Sequence, residues 1–123
     1  MPNILIIDDE KDVCEVLQTF LEGKGHRVET TTSAENLAVN LRSFAPDLIL
    51  LDVLMPDANG LELLPQVKAE TSGCPVIVIT GLNDYRISDL LYEAGADSVI
   101  AKPIRLQTLD NAVNQFLNTP NQV

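Results

Sequence analysis

Asp8-Asp9, Asp52, Thr80 and Lys102 each stand directly after a short apolar run. The runs are Ile4-Leu5-Ile6-Ile7, Leu48-Ile49-Leu50-Leu51, Val76-Ile77-Val78-Ile79 and Val99-Ile100-Ala101. Three carboxylates, a hydroxyl and an ammonium are, once gathered, the parts of a magnesium and phosphoryl site. Two carboxylates about 4 Å apart repel by about 4 kcal/mol at an effective dielectric of roughly 20, so a fold brings three together only with a compensating cation. Mg²⁺ suits the task, being hard, octahedral and usually held by one or two carboxylates together with waters and a phosphate. Taken singly, each residue has a plainer reading. Asp8-Asp9-Glu10 looks like a solvated loop, Asp52 like a strand-end turn residue, Thr80 like a β-branched strand residue and Lys102 like a surface lysine before a turn proline. Their joint placement is what points to chemistry.

Apolar runs without polar alternation read as strands buried on both faces, the habit of parallel sheets. Parallel strands put their C-terminal ends on one edge, which is also where open α/β sheets bind ligands. Helical spacing fills the gaps. Val13, Val16, Leu17, Phe20 and Leu21 mark one inner face, stopped by Gly23 and Gly25. Arg27-Val28-Glu29-Thr30-Thr31 alternates and reads as an exposed edge strand. Ser33 suits the N-cap of a second helix with Leu37, Ala38 and Leu41 inward. Asp84 suits the cap of a helix burying Ile87, Leu90 and Leu91, with Gly95 at its stop, and Leu106, Leu109, Val113, Phe116 and Leu117 face inward from the last helix. In the third helix Pro65 has no N–H to donate, so that helix must start late or kink. Five alternations of strand and helix predict a three-layer α/β sandwich with a five-stranded parallel sheet, five helices and right-handed crossovers.

The chain has 123 residues, enough for one domain with a complete core. No apolar stretch approaches the roughly 20 residues that span a bilayer, and Met1-Pro2-Asn3 leads straight into a strand without a signal-peptide pattern. These features, with Cys14 and Cys74 expected as free thiols, predict a cytoplasmic location. Eighteen acidic residues against 8 basic ones give a net charge of −10. Such a surface repels nucleic acid and anionic membranes, so no direct contact with either is expected. His26, in a Gly-Lys-Gly-His turn, reads as an exposed loop residue. The domain is expected over residues 1–118, with 119–123 as a tail or the start of a linker.

Asp8-Asp9, Asp52-Val53-Leu54-Met55-Pro56 with Gly60, Thr80-Gly81, Gly95-Ala96-Asp97 and Lys102-Pro103 carry a resemblance to the receiver domains of two-component response regulators. The resemblance covers nearly the whole chain. It implies a flavodoxin-like strand order of 2-1-3-4-5, Asp52 as phosphoacceptor, and a metal (Mg²⁺, with Mn²⁺ as alternative) held by Asp8, Asp9, Asp52 and the backbone carbonyl of Leu54. It also implies supporting roles for Thr80 and Lys102, a cis Lys102–Pro103 bond, a sensor histidine kinase or phosphotransfer protein as phosphoryl donor to Asp52, and an output domain or downstream protein as the separate partner that reads the switch. Tyr85 and Tyr92 fall in or near the fourth helix, a partner surface in relatives. Leu54 and Leu82 occupy positions that in relatives flank the path of hydrolytic water. One position departs from the pattern: relatives usually carry Tyr or Phe where this chain has Val99.

A signalling phosphoacceptor, with only slow self-phosphorylation and self-dephosphorylation, is therefore the expectation rather than an enzyme. A dehalogenase-type phosphatase wants a second Asp two positions after the nucleophile, where Leu54 stands. A flavin carrier wants a Ser- and Thr-rich phosphate loop after the first strand, where Asp8-Asp9-Glu10 would repel a phosphate. An adaptor without phosphorylation fits poorly with Asp52, Thr80 and Lys102 all present.

Overall fold

Strand and helix alternate along the chain: β1 (Asn3–Ile7), α1 (Lys11–Gly23), β2 (Arg27–Thr31), α2 (Leu37–Phe44), β3 (Leu48–Asp52), α3 (Gly60–Glu70), β4 (Val76–Thr80), α4 (Tyr85–Ala94), β5 (Ser98–Ala101) and α5 (Leu106–Leu117). Between β3 and α3, Leu54–Met55 pairs with Ala58–Asn59 in a short antiparallel ladder. This computed structural model describes residues 2–35, 37–55, 58–81 and 85–117. The expected cap Asp84, the loop residues Leu82 and Asn83 and the 119–123 tail lie outside the described residues.

The five strands form one parallel sheet in the order β2-β1-β3-β4-β5, as the resemblance implies. Side chains alternate across a strand, so each apolar run feeds two cores. Ile4, Ile6, Leu48, Leu50, Ile77, Ile79 and Ile100 pack with Cys14, Leu17 and Leu21 of α1 and with Leu109 and Val113 of α5. Leu5, Ile7, Ile49, Leu51, Val76 and Val78 pack on the other face with Leu37 and Leu41 of α2, Leu64 and Val67 of α3 and Leu91 of α4. Both faces are covered, which is why these strands carry no polar alternation. β2 lies on the edge and does alternate, with Arg27 and Glu29 exposed around buried Val28.

Several local features depart from expectation. Val16, Leu90 and Leu106 are 57%, 46% and 39% exposed rather than inward. One residue is about 100° of helix rotation, and the inward stripes centre on the neighbours Leu17 and Leu91. Ser33 Oγ accepts the Glu35 N–H at 3.0 Å just ahead of α2, which is described from Leu37. α3 starts at Gly60, so Pro65 falls in its interior instead of its first turn. Pro65 lies on the exposed face, where the lost donor disturbs no core contact. Gly60 is fixed by crowding, since a Cβ there would overlap Val53.

His26 is 4% exposed, not a surface loop residue. At the end of α1, Gly25 (φ 95°) donates its N–H to Glu22 O at 3.0 Å and His26 donates to Leu21 O at 3.2 Å. This pair of bonds folds the residue after the glycine back onto the last helical turn, which carries the imidazole inside. Burial holds its pKa below the usual value, against the pull of Asp110 on α5. The same closure ends α4, where Gly95 (φ 123°) precedes buried Ala96.

Cys14 and Cys74 are free thiols buried on opposite faces of the sheet. Burial pushes both from the ordinary 9.0 up to about 11. Unfolding therefore releases thiol protons between those values, and stability is expected to fall as pH rises from 9.0 toward about 11 while staying insensitive to these groups below that range. Alkylation at neutral pH should be slow in the native chain and fast in denaturant, measurable by the rate of mass gain.

Candidate functional site

Sheet register builds the site. Ile7 pairs with Leu51 in parallel strands, so the next residues, Asp8 and Asp52, become neighbours. Asp52 lies opposite Ile79, and Thr80 opposite Ala101. Lys102 follows at once, its N–H donating to Thr80 O at 2.8 Å. Four of the five strands thus deliver a functional side chain to one edge. Asp8, Asp52 and Thr80 are 1%, 3% and 2% exposed. The Lys102–Pro103 bond is cis.

Lys102 Nζ lies 3.3 Å from Asp8 Oδ2, 3.3 Å from Asp52 Oδ2 and 2.9 Å from Glu10 Oε1. Burial works against its charge, but the hydrogen bond to Glu10 and the charges of Asp52 and Asp8 outweigh that cost and hold its pKa above the usual lysine value. Asp8 is fixed by its own turn. Its N–H donates to Thr31 O at 3.1 Å, and its Oδ1 accepts the Glu10 N–H at 2.9 Å just ahead of α1. Its Oδ2 is buried and accepts no hydrogen bond among the described residues; at 3.3 Å from Lys102 it has an ion pair without hydrogen-bond alignment.

Carboxylate oxygens of Asp8, Glu10 and Asp52 all lie within 4.8 Å of one another. Three such groups facing one ammonium leave negative charge in excess, and Asp8 Oδ2, ion-paired with Lys102, has lone pairs left to offer. The buried pair Asp8 and Asp52 offers oxygens that fit a hard divalent cation, with Glu10 at the exposed rim. Asp9, named from the resemblance as a metal acid, is half-buried and not in this group. Glu10 takes the place beside Lys102 because the turn closed on Asp8 Oδ1 presents it there. The signal for Glu10 was its spacing of two from Asp8, the offset of an Asx turn. Leu54 starts the short ladder two residues beyond Asp52.

Around the site, a groove of about 730 Å³ lies between α1 and the start of α5, lined by apolar side chains such as Val13, Leu17 and Ile104 together with Glu10, Asp12 and Lys102. On β5, half-buried Val99 packs against the α2–α4 core, and its N–H donates to Tyr92 Oη of α4 at 3.2 Å. The side chain of Tyr85 lies outside the described residues. No described helix is long and apolar enough to cross a membrane.

Lys102→Met removes the one cation that contacts both Asp8 and Asp52 among the described residues. Breaking a fully buried pair costs about 3–5 kcal/mol, and partial exposure of the lysine reduces this to about 1–3 kcal/mol. Urea unfolding at neutral pH is expected to show that loss.

The response regulator receiver domain family matches residues 4–114. Response regulator SaeR of Staphylococcus aureus is 32% identical over 117 residues, covering 95% of this chain and 51% of SaeR. The chain thus spans about half the length of the curated relatives it matches. A two-component response regulator from Clostridium difficile superposes with a TM-score of 0.92 at 30% identity, covering 99% of this chain and 100% of that one. A CheY-like receiver domain protein from Methanospirillum hungatei JF-1 gives 0.89 at 29% identity, covering 96% and 94%. With the match spanning nearly all the described residues and the acids and lysine meeting at one strand edge, this chain belongs to the response regulator receiver domain family.

Proposed function

We propose that Asp52 accepts a phosphoryl group from a phosphohistidine and that the resulting charge switches the surface of the domain. The observation that carries this reading is Asp52 itself, almost wholly buried at the end of β3, with Lys102 Nζ at 3.3 Å and Asp8 beside it. A carboxylate oxygen of Asp52 attacks phosphorus, the P–N bond breaks and the imidazole leaves with its electron pair. Lys102 offsets charge on the phosphoryl oxygens as a compact point charge, and Thr80, next to Asp52 by register, offers its hydroxyl to one of them. Asp8 and Asp52, with Asp9 and the Leu54 carbonyl from the family pattern, would hold Mg²⁺ or Mn²⁺. When bound, such an ion neutralises charge on the transferring oxygens.

The donor is a histidine kinase or phosphotransfer protein, and the mostly apolar groove that Lys102 helps line gives a protein donor area to dock on beside the acceptor. The read-out passes to an output domain or separate protein through the region of α4 and β5. A net charge of −10 argues against direct contact with nucleic acid or membrane. The reaction belongs in the cytoplasm. The chain acts as a signalling phosphoacceptor, and its only turnover is slow gain and loss of its own phosphoryl group.

Incubation with Mg²⁺ and acetyl phosphate is expected to add the mass of one phosphoryl group, and Asp52→Asn to abolish it. A full adduct on that variant would reassign the acceptor. Leu54 supports a long-lived phosphate, since an aliphatic group cannot orient an attacking water. Leu54→Asn is expected to speed dephosphorylation, followed by loss of the adduct after donor removal. Equal decay rates would remove that role from Leu54.

A further inference from the structure

Glu10 is the most exposed of the three acids around Lys102, with its side chain 58% exposed against 2% for Asp8 and 3% for Asp52. It nevertheless makes the shortest contact with the ammonium, 2.9 Å against 3.3 Å for each of the others. Its backbone is pinned at both ends. The Glu10 N–H is held by Asp8 Oδ1 at 2.9 Å, and the Glu10 carbonyl accepts the Cys14 N–H at 3.1 Å. The side chain alone is left to move, at the rim of the site.

The ammonium and a divalent cation draw on the same oxygens. Lys102 Nζ contacts Asp8, Glu10 and Asp52, and those three carboxylates span no more than 4.8 Å. A doubly charged ion entering there must push the ammonium off Asp8 and Asp52. A released lysine has a long flexible stem and strong hydration, so without a second partner it would leave for solvent.

We propose that Glu10 is a positioning residue: it keeps the Lys102 ammonium at the rim, so that a divalent cation takes oxygens of Asp8 and Asp52 while Lys102 stays within reach of Asp52. The proposal rests on Asp52 being the phosphoacceptor. Glu10 would act through Lys102 and not as a ligand of the ion.

A magnesium titration by calorimetry, with no phosphodonor present, tests this on the full chain and three variants: Glu10→Gln, Lys102→Met and the double substitution. The Glu10 side chain lies at the surface, so its replacement leaves the core intact. With Lys102 present, Glu10→Gln should weaken Mg²⁺ binding about two- to fivefold, the worth of an exposed ion pair. In the Lys102→Met background the loss should be clearly smaller, because there is no ammonium to hold. An equal or larger loss without Lys102 would make Glu10 a partner of the ion itself and overturn the proposal. An unchanged affinity in both backgrounds would overturn it as well. The acetyl phosphate assay scores the role of Asp52 separately, so failure of that reading and failure of this one are distinguishable.

Discussion

Two carboxylates almost wholly removed from water, Asp8 and Asp52, must share one ammonium. Unit charges about 4 Å apart at an effective dielectric of roughly 20 interact by about 4 kcal/mol, a large part of the roughly 5–15 kcal/mol that keeps a domain folded. The sheet satisfies this constraint by register. Asp8 and Asp52 end adjacent strands, and Lys102 arrives two strands away from Asp52, tied through its own N–H to Thr80. A one-residue slip of any strand would turn its apolar set to the wrong face and take its functional residue off the edge.

The apolar strands are therefore both core and scaffold. Leu48 and Leu50 lock β3 to the α1–α5 side while Ile49 and Leu51 lock it to the α2–α4 side. Asp52, next in line, inherits that fixity. Charge is gathered only where the strands run out, on the rigid platform that a preorganised site needs.

Most of this was legible because it depends on long apolar runs with one functional residue at each end. The strand order and the meeting of Asp8, Asp52, Thr80 and Lys102 follow from parallel pairing and the family resemblance. What was misread depends on angles of a single residue. Val16 and Leu90 were placed inside because helical spacing fixes a face only to within about 100°, and packing chose Leu17 and Leu91. His26 was misread because a glycine closing a helix folds the next residue inward. Pro65 shows tertiary packing overriding a helix breaker. Glu10 is harder to read, because its Asx-turn spacing from Asp8 marks the turn but not the lysine 92 residues away to which that turn presents it.

The bond between Val99 N–H and Tyr92 Oη has a consequence for solubility. Among the described residues β5 is an edge strand, with only β4 beside it. Edge amides that point off a sheet are templates on which a strand from another chain can add, and proteins commonly blunt them with charge, bulges or a covering element. Here a phenol laid down from α4 occupies one such amide in the middle of a four-residue strand. That amide is thus unavailable to a strand from another chain for as long as α4 holds Tyr92 in place.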